Sequence, residues 1–294
     1  MSSLPARVCC VVVCYRPDAE RLRTLCATLT SGDARVVLVD NTERPTLQAA
    51  DLPTGCTLIT LGRNAGIAHA QNMGIEAAGD ADAIAFFDQD SQVPAGMLAT
   101  LVAQLRLGRP DIVAPACVDD ASGAELPSTR VDARGRATAV YSLGGRDPVD
   151  VDIVISSGSV ATREVFALAG GLDASLFIDF VDTEWCLRCR AEGVPMRVIP
   201  QAVMPHRIGS AAVQVAGRTV SIHSPLRCYY QVRNSFLLLR MKHVPLAYGL
   251  AQLVSTLGNR ALLLSIVKNR WTYLEACAAG LFDGILGRSG PRQA

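Results

Sequence analysis

Short apolar runs that alternate with helical patterns are the feature that most constrains the fold of this 294-residue chain. The runs Val8–Val13, Arg35–Asp40, Thr57–Leu61, Ala83–Phe87 and Asp111–Ala114 read as strands, with amphipathic helical segments between them. Strands buried on both faces appear as continuous apolar runs, so this pattern is typical of a mostly parallel sheet with helices on both faces. Half of the residues are hydrophobic, which is enough for a large core.

The fourth run ends in Asp88-Gln89-Asp90-Ser91. Two carboxylates two residues apart at a strand end suit a hard divalent cation that also holds phosphate oxygens. Open α/β sheets bind their ligands at the carboxyl ends of the strands, where this pair lies. A polar turn in which Asp88 or Ser91 caps the next helix explains the same four residues equally well.

Other common sites find little support in the sequence. The first strand is followed by Cys14-Tyr15-Arg16-Pro17 and not by G-x-G-x-x-G, which argues against a doubly wound oxidoreductase without closing that alternative. The ten cysteines lie mostly in apolar runs, and the chain does not begin with a signal-peptide pattern, so we expect reduced thiols in a cytosolic protein. Cys186 and Cys189 lack a second ligand pair at a zinc spacing.

The second half of the chain is predicted to be more irregular. Val151–Ile155 and Met196–Ile199 read as strands, Thr162 as the cap of a short helix, and Asp182 as the start of a helix that ends at Gly193.

The chain from Arg227 onward is basic and helical in pattern, with nine Lys or Arg and two Asp or Glu. Two apolar runs, Val244–Leu257 and Ala261–Val267, are interrupted at Asn259-Arg260. Each is shorter than the ~20 residues of a spanning helix. They are either core-packing helices or an amphipathic pair lying on a membrane, whose basic side chains would face lipid phosphates: Arg240, Lys242, Arg260, Lys268 and Arg270.

Eight motifs, taken in order from about Val8 to Arg240, resemble the family 2 glycosyltransferases of the GT-A fold, and among them the bacterial rhamnosyltransferases. The motifs are Tyr15-Arg-Pro17 after the first strand, Val39-Asp-Asn41, Asn64-Ala-Gly-Ile-Ala-His-Ala-Gln-Asn72, Phe87-Asp-Gln-Asp-Ser91, Ser156-Ser-Gly-Ser159, Phe177-Ile-Asp-Phe-Val-Asp-Thr-Glu-Trp185, His206-x-x-Gly209 and Tyr229-Tyr-x-x-Arg-Asn234.

The resemblance implies a fold, a domain division and a reaction. Residues 1–240 would form a GT-A domain with a Rossmann-like sheet, and residues 241–294 a helical extension that either packs on this domain or associates with a membrane. The implied enzyme is an inverting, metal-dependent glycosyltransferase that moves L-rhamnose from dTDP-rhamnose to a saccharide acceptor, one linked to a polyprenyl lipid, in bacterial surface polysaccharide synthesis. It would be cytoplasmic or peripheral on the inner membrane, able to form a homo-oligomer, and without a nucleic-acid partner.

The resemblance also implies roles for individual residues. Asp90, Asp88 and His206 would form the site of Mn²⁺ or Mg²⁺, although His206 alone also reads as an ordinary surface histidine. Asp182 would be the general base, with Glu184 or Asp179 as alternatives. The nucleotide would be bound by residues near the strand ends, namely Tyr15, Asp40, Arg63, Asn64, Gln71 and Asp88.

Three alternatives remain open from the sequence. The donor can be a UDP- or GDP-sugar, since a few contacts decide which base is bound. The chain can be an inactive nucleotide-sugar-binding module. Trp185 can pack against a sugar or lie in the core, which is the commoner outcome for a tryptophan.

Overall fold

The computed structural model describes residues 6–206, 212–215 and 218–292. Its strands are β1 (Val8–Cys14), β2 (Arg35–Asp40), β3 (Cys56–Thr60), β4 (Ala83–Asp88), β5 (Ile112–Asp119), β6 (Glu125–Leu126), β7 (Ser128–Val131), β8 (Ala137–Val140), β9 (Val149–Asp150), β10 (Val160–Thr162), β11 (Met196–His206), β12 (Ala212–Val215) and β13 (Arg218–Ser221). Its α-helices are α1 (Ala19–Thr30), α2 (Ile67–Ala77), α3 (Met97–Ala103), α4 (Arg163–Ala169), α5 (Val181–Ala191), α6 (Pro225–Leu238), α7 (Leu246–Ile266) and α8 (Arg270–Leu286).

Nine of these strands form one mixed sheet in the order β3-β2-β1-β4-β10-β5-β11-β9, with β6 paired to β5. The strands β1, β2, β3 and β4 are mutually parallel, and β11 is parallel to β5. The strands β10, β9 and β6 run the opposite way to their neighbours. Because β10 is antiparallel to both β4 and β5, those two strands point in the same direction, as expected for a mostly parallel sheet.

The sheet separates two apolar layers, because successive strand side chains point to opposite faces. In β1, Cys9 and Val11 face a core formed with α2, α4 and α5. Cys10 and Val12 face a second core formed with α1 and α3. Helix α2 approaches the sheet closely at Gly74, where an added Cβ would lie 2.2 Å from Val11 Cγ1. A glycine is therefore required there for this helix to pack on β1.

Two secondary-structure predictions were wrong. Val151–Ile155 is not a strand, because only Ile153 pairs, in an isolated bridge with Thr129. The two apolar runs interrupted at Asn259-Arg260 do not form two helices, since α7 continues through both residues and is 21 residues long. The buried Arg260 explains the continuity, because its Nη1 lies 3.0 Å from the Sγ of Cys228 on α6 and so points into the protein.

Thr162 precedes α4 as predicted, but its side chain does not cap the helix. Its hydroxyl donates to the carbonyl of Arg109 at 2.9 Å and accepts from the backbone N–H of Asp111 at 3.1 Å. The hydroxyl thus joins β10 to the start of β5.

The C-terminal helices pack on the chain before them. Helix α8 lies along α6 so closely that a Cβ on Gly280 would be 2.5 Å from the carbonyl oxygen of Tyr229. The hydroxyl of Tyr229 donates to Asp283 on α8 at 2.7 Å. No helix within residues 6–206 and 218–292 is both long and apolar enough to cross a membrane. The division at residue 240 stays a prediction, although α6 and α8 share a contact across it.

Candidate active site

The strand register brings three of the predicted site segments to one edge of the sheet. Cys14 is paired with Asp40 across β1 and β2, and Val13 is paired with Asp88 across β1 and β4. The carboxyl ends of these parallel strands therefore present Tyr15, Asp40 and Asp88 at the same edge, with Tyr15 after the middle strand. This is the edge at which ligands bind in sheets of this type.

The turn after β4 is held by serine hydroxyls. The backbone N–H of Asp88 donates to Ser91 Oγ at 3.0 Å and to Ser157 Oγ at 3.3 Å, and the two hydroxyls lie 2.8 Å apart. Helix α3 begins later, after Gly96, which offers no side-chain cap. Asp88 and Ser91 are thus not the caps of α3, and the Asp88 carboxylate remains available at the strand end.

The surroundings of Asp88 disfavour the charged form of its carboxyl group. Burial raises its pKa above the ordinary value, and the nearby carboxylates of Asp90 and Asp182 raise it further. His206 and the Ser157 hydroxyl act in the opposite direction and lower the pKa of Asp88. These contributions place Asp90, Asp182 and His206 within electrostatic range of Asp88, although the β4, β11 and α5 segments that carry them are distant in sequence.

The residues predicted to hold a metal fit a divalent cation in their chemistry. Carboxylates are ordinary ligands of Mn²⁺ and Mg²⁺, whereas an imidazole fits the softer Mn²⁺ better than Mg²⁺, and a cation would relieve the repulsion that adds to burial in raising the pKa of Asp88. Within the described residues, no group of three or more His, Cys, Asp or Glu side chains is close enough to form a ready-made metal site. Gly209, the end of the histidine motif, lies outside the described residues.

Asp40 is fully buried and only half satisfied. Its Oδ1 accepts the backbone N–H of Thr42 at 3.0 Å, whereas its Oδ2 has no hydrogen-bond partner among the described residues. The thiol of Cys14 lies beside it, and burial followed by the Asp40 charge raises the pKa of Cys14. A buried carboxylate oxygen without a partner carries a free-energy cost of about 1–3 kcal/mol or more, which a bound hydrogen-bond donor would remove.

Asn41 and Asn64 organise the loop before α2. Asn41 Nδ2 donates to Asn64 Oδ1 at 3.1 Å, and Asn41 Oδ1 accepts the backbone N–H of Ala65 at 2.7 Å. Asn64 Oδ1 also accepts the backbone N–H of Gly66 at 3.1 Å. Asn64 is therefore committed to loop structure, while its neighbour Arg63 is exposed at the rim.

Tyr15 and Gln71 are placed by contacts that the sequence did not predict. The backbone N–H of Tyr15 donates to Gln89 Oε1 at 2.7 Å, and its hydroxyl donates to Glu43 at 2.9 Å. Gln71 is buried and donates from Nε2 to Ser156 Oγ at 3.0 Å. The Gln89 side chain therefore joins the β1 and β4 loops.

Asp182 lies in the first turn of α5 and is half-buried. Burial raises its pKa, and the charge of Asp179 raises it further, against the backbone N–H of Thr183, which donates at 2.8 Å. Tyr248 of α7 lies nearby: burial, and then the Asp182 charge, raise the pKa of Tyr248 to about 12.

Glu184 occupies a different environment from Asp182. It is 1% exposed, and both of its oxygens accept from the Arg188 guanidinium at 2.8 Å. His243 Nε2 is also 2.9 Å from Oε1, without hydrogen-bond geometry. Such a buried pair is typical of a structural carboxylate.

Trp185 is a core residue. It stacks on Phe166 with ring centroids 5.4 Å apart, and its Nε1 donates to the carbonyl of Gly170 at 3.1 Å. The sugar-facing alternative is thus not observed.

Sequence reasoning missed Asn41, Gln89, Ser157 and Tyr248 as site-forming residues. Asn41, Gln89 and Ser157 lie inside quoted motifs, so their position next to predicted site residues was a usable signal. Tyr248 lies in an apolar run and gave no such signal.

An open cleft of about 740 Å³ borders Asp90. Its lining includes polar residues of α1 and of the segment after β4: Arg21, Thr24, Thr28, Asp90, Ser91 and Gln92.

Comparison with known proteins adds to this geometry. Residues 9–157 match the profile of the family described as glycosyl transferase family 2. A curated protein of Shigella flexneri, named dTDP-rhamnosyl transferase RfbF, is 38% identical over 284 residues, which are 95% of this chain and 96% of that protein.

Solved structures share the fold at low sequence identity. A crystal structure of S. aureus TarS in complex with UDP-GlcNAc is 14% identical, with a TM-score of 0.56 over 96% of this chain and 81% of that one. A structure of GalNAc-T7 with UDP, GalNAc and Mn²⁺ is 14% identical, with a TM-score of 0.58 over 85% of this chain; the match spans 55% of that structure. The predicted GT-A fold with a helical C-terminal region is confirmed.

The raised pKa of Asp182 predicts how the stability of its amide variant, relative to the native chain, will change with pH. A carboxyl with a raised folded pKa contributes stability that is fully present below its ordinary pKa of 3.8 and is lost as pH rises through the folded value. Asp182→Asn should therefore be at least as stable as the native chain at pH 7, and its relative advantage should vanish near pH ~3. Urea unfolding at the two pH values measures this.

Asp82→Asn is the control with the opposite sign, because Arg7 lowers the pKa of Asp82 to about 2. That variant should be less stable than the native chain at pH 7. A clearly lower free energy of unfolding for Asp182→Asn than for the native chain at pH 7 would contradict the raised pKa assigned to Asp182.

Proposed function

Since this chain belongs to glycosyl transferase family 2 and is a glycosyltransferase, we propose that it moves L-rhamnose from dTDP-rhamnose to a saccharide acceptor, with inversion at the anomeric carbon. The observation that carries the proposal is the 38% identity with a dTDP-rhamnosyl transferase over 95% of this chain. The resemblance to bacterial rhamnosyltransferases is confirmed by that relative.

The nucleotide is proposed to bind at the ends of β1 and β2. The unpartnered Oδ2 of Asp40 supports this, because a buried acceptor favours a ligand that donates a hydrogen bond. Tyr15 borders the same edge, and Arg63 supplies positive charge for phosphates. Asn64 and Gln71 act through the loops that they hold, since their side chains already bond to Asn41 and Ser156.

Asp88, Asp90 and His206 are proposed to hold Mn²⁺ or Mg²⁺. A cation there supplies charge that stabilises the departing nucleoside diphosphate. Asp88 contributes a carboxylate fixed from its backbone by two serine hydroxyls, whereas Asp90 is exposed beside the cleft.

Asp182 is proposed as the general base. Inversion by a single displacement requires a group that accepts the proton of the acceptor hydroxyl as the bond to diphosphate breaks. The raised pKa of Asp182 suits proton transfer closer to neutrality. Asp179 and Glu184 are less suitable, because Arg227 and Arg188 respectively occupy their oxygens.

The acceptor is proposed to be a saccharide linked to a polyprenyl lipid, with α7 and α8 resting on the cytoplasmic face of the membrane. Large apolar side chains on both helices are exposed, including Leu246, Leu250, Val254, Trp271, Leu274, Phe282 and Ile285. Exposed Lys268 and Arg270 come just before Trp271 at the corner between the helices. An aromatic side chain beside cations is typical of a lipid interface.

A donor panel tests the reaction. Purified protein with Mn²⁺ should release dTDP from dTDP-rhamnose, and little UDP or GDP from UDP- or GDP-sugars. Excess EDTA and Asp90→Asn should each abolish release. EDTA removes the cation itself, and the variant removes a carboxylate that would bind it. Asp51→Asn is the matched control, since it removes an exposed carboxylate elsewhere on the surface.

Each other result of the panel has a defined meaning. Preferred turnover of a UDP- or GDP-sugar would replace the donor, and binding without turnover of any donor would indicate an inactive module. Full activity in EDTA would remove the metal from the mechanism.

Asp182→Asn should lower kcat by roughly 10²–10⁴, the usual contribution of one acid–base group, and leave donor binding largely unchanged. Glu184→Gln should mainly reduce stability, because it weakens a buried pair with Arg188. Steady-state kinetics at equal folded fractions separates the two effects. Near-normal turnover in Asp182→Asn with collapse in Glu184→Gln would move the role to Glu184.

Sedimentation with vesicles tests the membrane contact. The protein should bind anionic vesicles better than neutral ones, and added salt should weaken this binding by screening. Trp271→Ala should reduce binding, whereas Tyr141→Ala, another exposed aromatic outside these helices, should not. Equal partitioning to neutral and anionic vesicles would contradict the assignment.

A further inference from the structure

The short segment that enters α5 has an unusual backbone. Phe177, Asp179 and Phe180 have φ values of 67°, 65° and 63°, a region that residues with a side chain rarely adopt. We call residues 176–180 the entry turn. A cluster of such conformations persists only where surrounding contacts over-determine it, and these clusters concentrate at functional sites.

One buried side chain on α6 satisfies the entry turn. Asn234 is 0% exposed, and its Nδ2 lies 2.9, 2.8 and 3.0 Å from the carbonyl oxygens of Leu176, Ile178 and Asp179. Its Oδ1 accepts from Arg233 Nε at 3.0 Å. The whole amide is therefore used, and no other α6 side chain described donates to as many of these carbonyls.

Arg233 extends the same support towards the C-terminal segment. Its Nη2 donates to the carbonyl of Leu176 at 3.0 Å, and its Nη1 donates to the carbonyl of Gly290 at 2.5 Å. The backbone N–H of Gly290 donates in turn to the carbonyl of Ser175 at 2.6 Å. The chain after α8 thus closes over the guanidinium that helps to hold the entry turn.

The opposite side of the entry turn contacts the loop before α2. The backbone N–H of Ile67 donates to the carbonyl of Phe177 at 2.8 Å. A Cβ on Gly66 would lie 2.7 Å from that same oxygen, so the two segments are in direct backbone contact. The entry turn therefore lies between the proposed nucleotide loop and Asp182, two residues after Phe180.

We propose that Asn234 is a positioning residue, which holds the left-handed entry turn and thereby sets the place of Asp182 relative to the bound donor. This inference rests on the proposed role of Asp182 as general base. Asn234 itself touches no reacting atom; it acts through the carbonyls of Leu176, Ile178 and Asp179. The geometry gives it an effect on the chemical step that is separate from donor binding.

The test compares Asn234→Asp and Asn234→Ala with Ser235→Ala. Asp has nearly the same shape as Asn but cannot donate to three carbonyls when ionised, and Ala removes the donor without adding charge. Ser235 is equally buried on the same helix, but its hydroxyl bonds only to the carbonyl of Val232 within α6. Each protein is assayed for thermal unfolding, dTDP binding, kcat and KM for the donor, and amide hydrogen exchange.

Both Asn234 variants should lose about 10²-fold in kcat, the scale of a small misplacement of reacting groups, with KM for the donor and dTDP affinity within about threefold of the native values. Amides of residues 176–182 should exchange faster in these variants. Ser235→Ala should keep native kcat and native exchange in that segment.

The opposing outcomes are distinct. Native kcat in either Asn234 variant, or a loss of donor affinity parallel to the loss of kcat, overturns the proposal. So does failure of both variants to fold, because Asn234 would then serve folding alone. If the native protein releases no dTDP from dTDP-rhamnose, the proposed function fails instead. The structural role of Asn234 is tested independently of that result: unchanged amide exchange of residues 176–182 in the Asn234 variants would show that Asn234 does not hold the entry turn.

Discussion

The backbone pairing of β1 with both of its neighbours is the interaction on which the site depends. Six residue pairs join β1 to β2, and six join β1 to β4. A slip of one residue in either pairing would turn every side chain of a strand to the other face of the sheet. The apolar alternation between the two cores prevents such a slip, so hydrophobic packing far from the carboxylates determines that Asp40 and Asp88 end their strands at the same edge, on either side of β1.

The site concentrates negative charge at a cost in stability. Asp88 and Asp182 both have raised pKa values, and burial is the first cause for each. Asp40 adds a buried oxygen with no partner among the described residues. The buried Asp111, by contrast, is paired with two arginines, Arg106 and Arg197, each at 2.6 Å. Such a concentration of carboxylates with raised pKa values is consistent with the proposed cation site and proton transfer.

The sequence predicted the parts of this structure that depend on local pattern. Arg35–Asp40 was placed at its observed bounds, because a buried parallel strand is a continuous apolar run. Val151–Ile155 looked the same in sequence, yet it lies next to the sheet without pairing along it, and no local pattern records that difference. The prediction of two helices separated at Asn259-Arg260 was wrong for a related reason, since Arg260 finds its partner, Cys228, on another helix.

Within the site, the chemistry-bearing residues were predicted, whereas the supporting roles of their neighbours were not, even where those neighbours lay inside the quoted motifs. Asp88, Asp90 and Asp182 could be selected by residue type and motif. The side chains that hold them, such as Ser157 and Asn234, act through backbone groups distant in sequence, so their roles depend on the tertiary fold. Which residues carry out the reaction stays a prediction until the variants are measured.

The contact between Gly66 and the carbonyl of Phe177 has a thermodynamic consequence. With no atom between them, the loop at the nucleotide end and the turn before Asp182 cannot be displaced independently. A nucleotide bound to the first segment, as we propose, would therefore also favour one position of the second. By linkage, any gain in acceptor affinity caused by the nucleotide must be matched by an equal gain in nucleotide affinity caused by the acceptor. The close approach that glycine permits at residue 66 thus couples the segment proposed to bind the nucleotide to the turn that precedes the proposed general base.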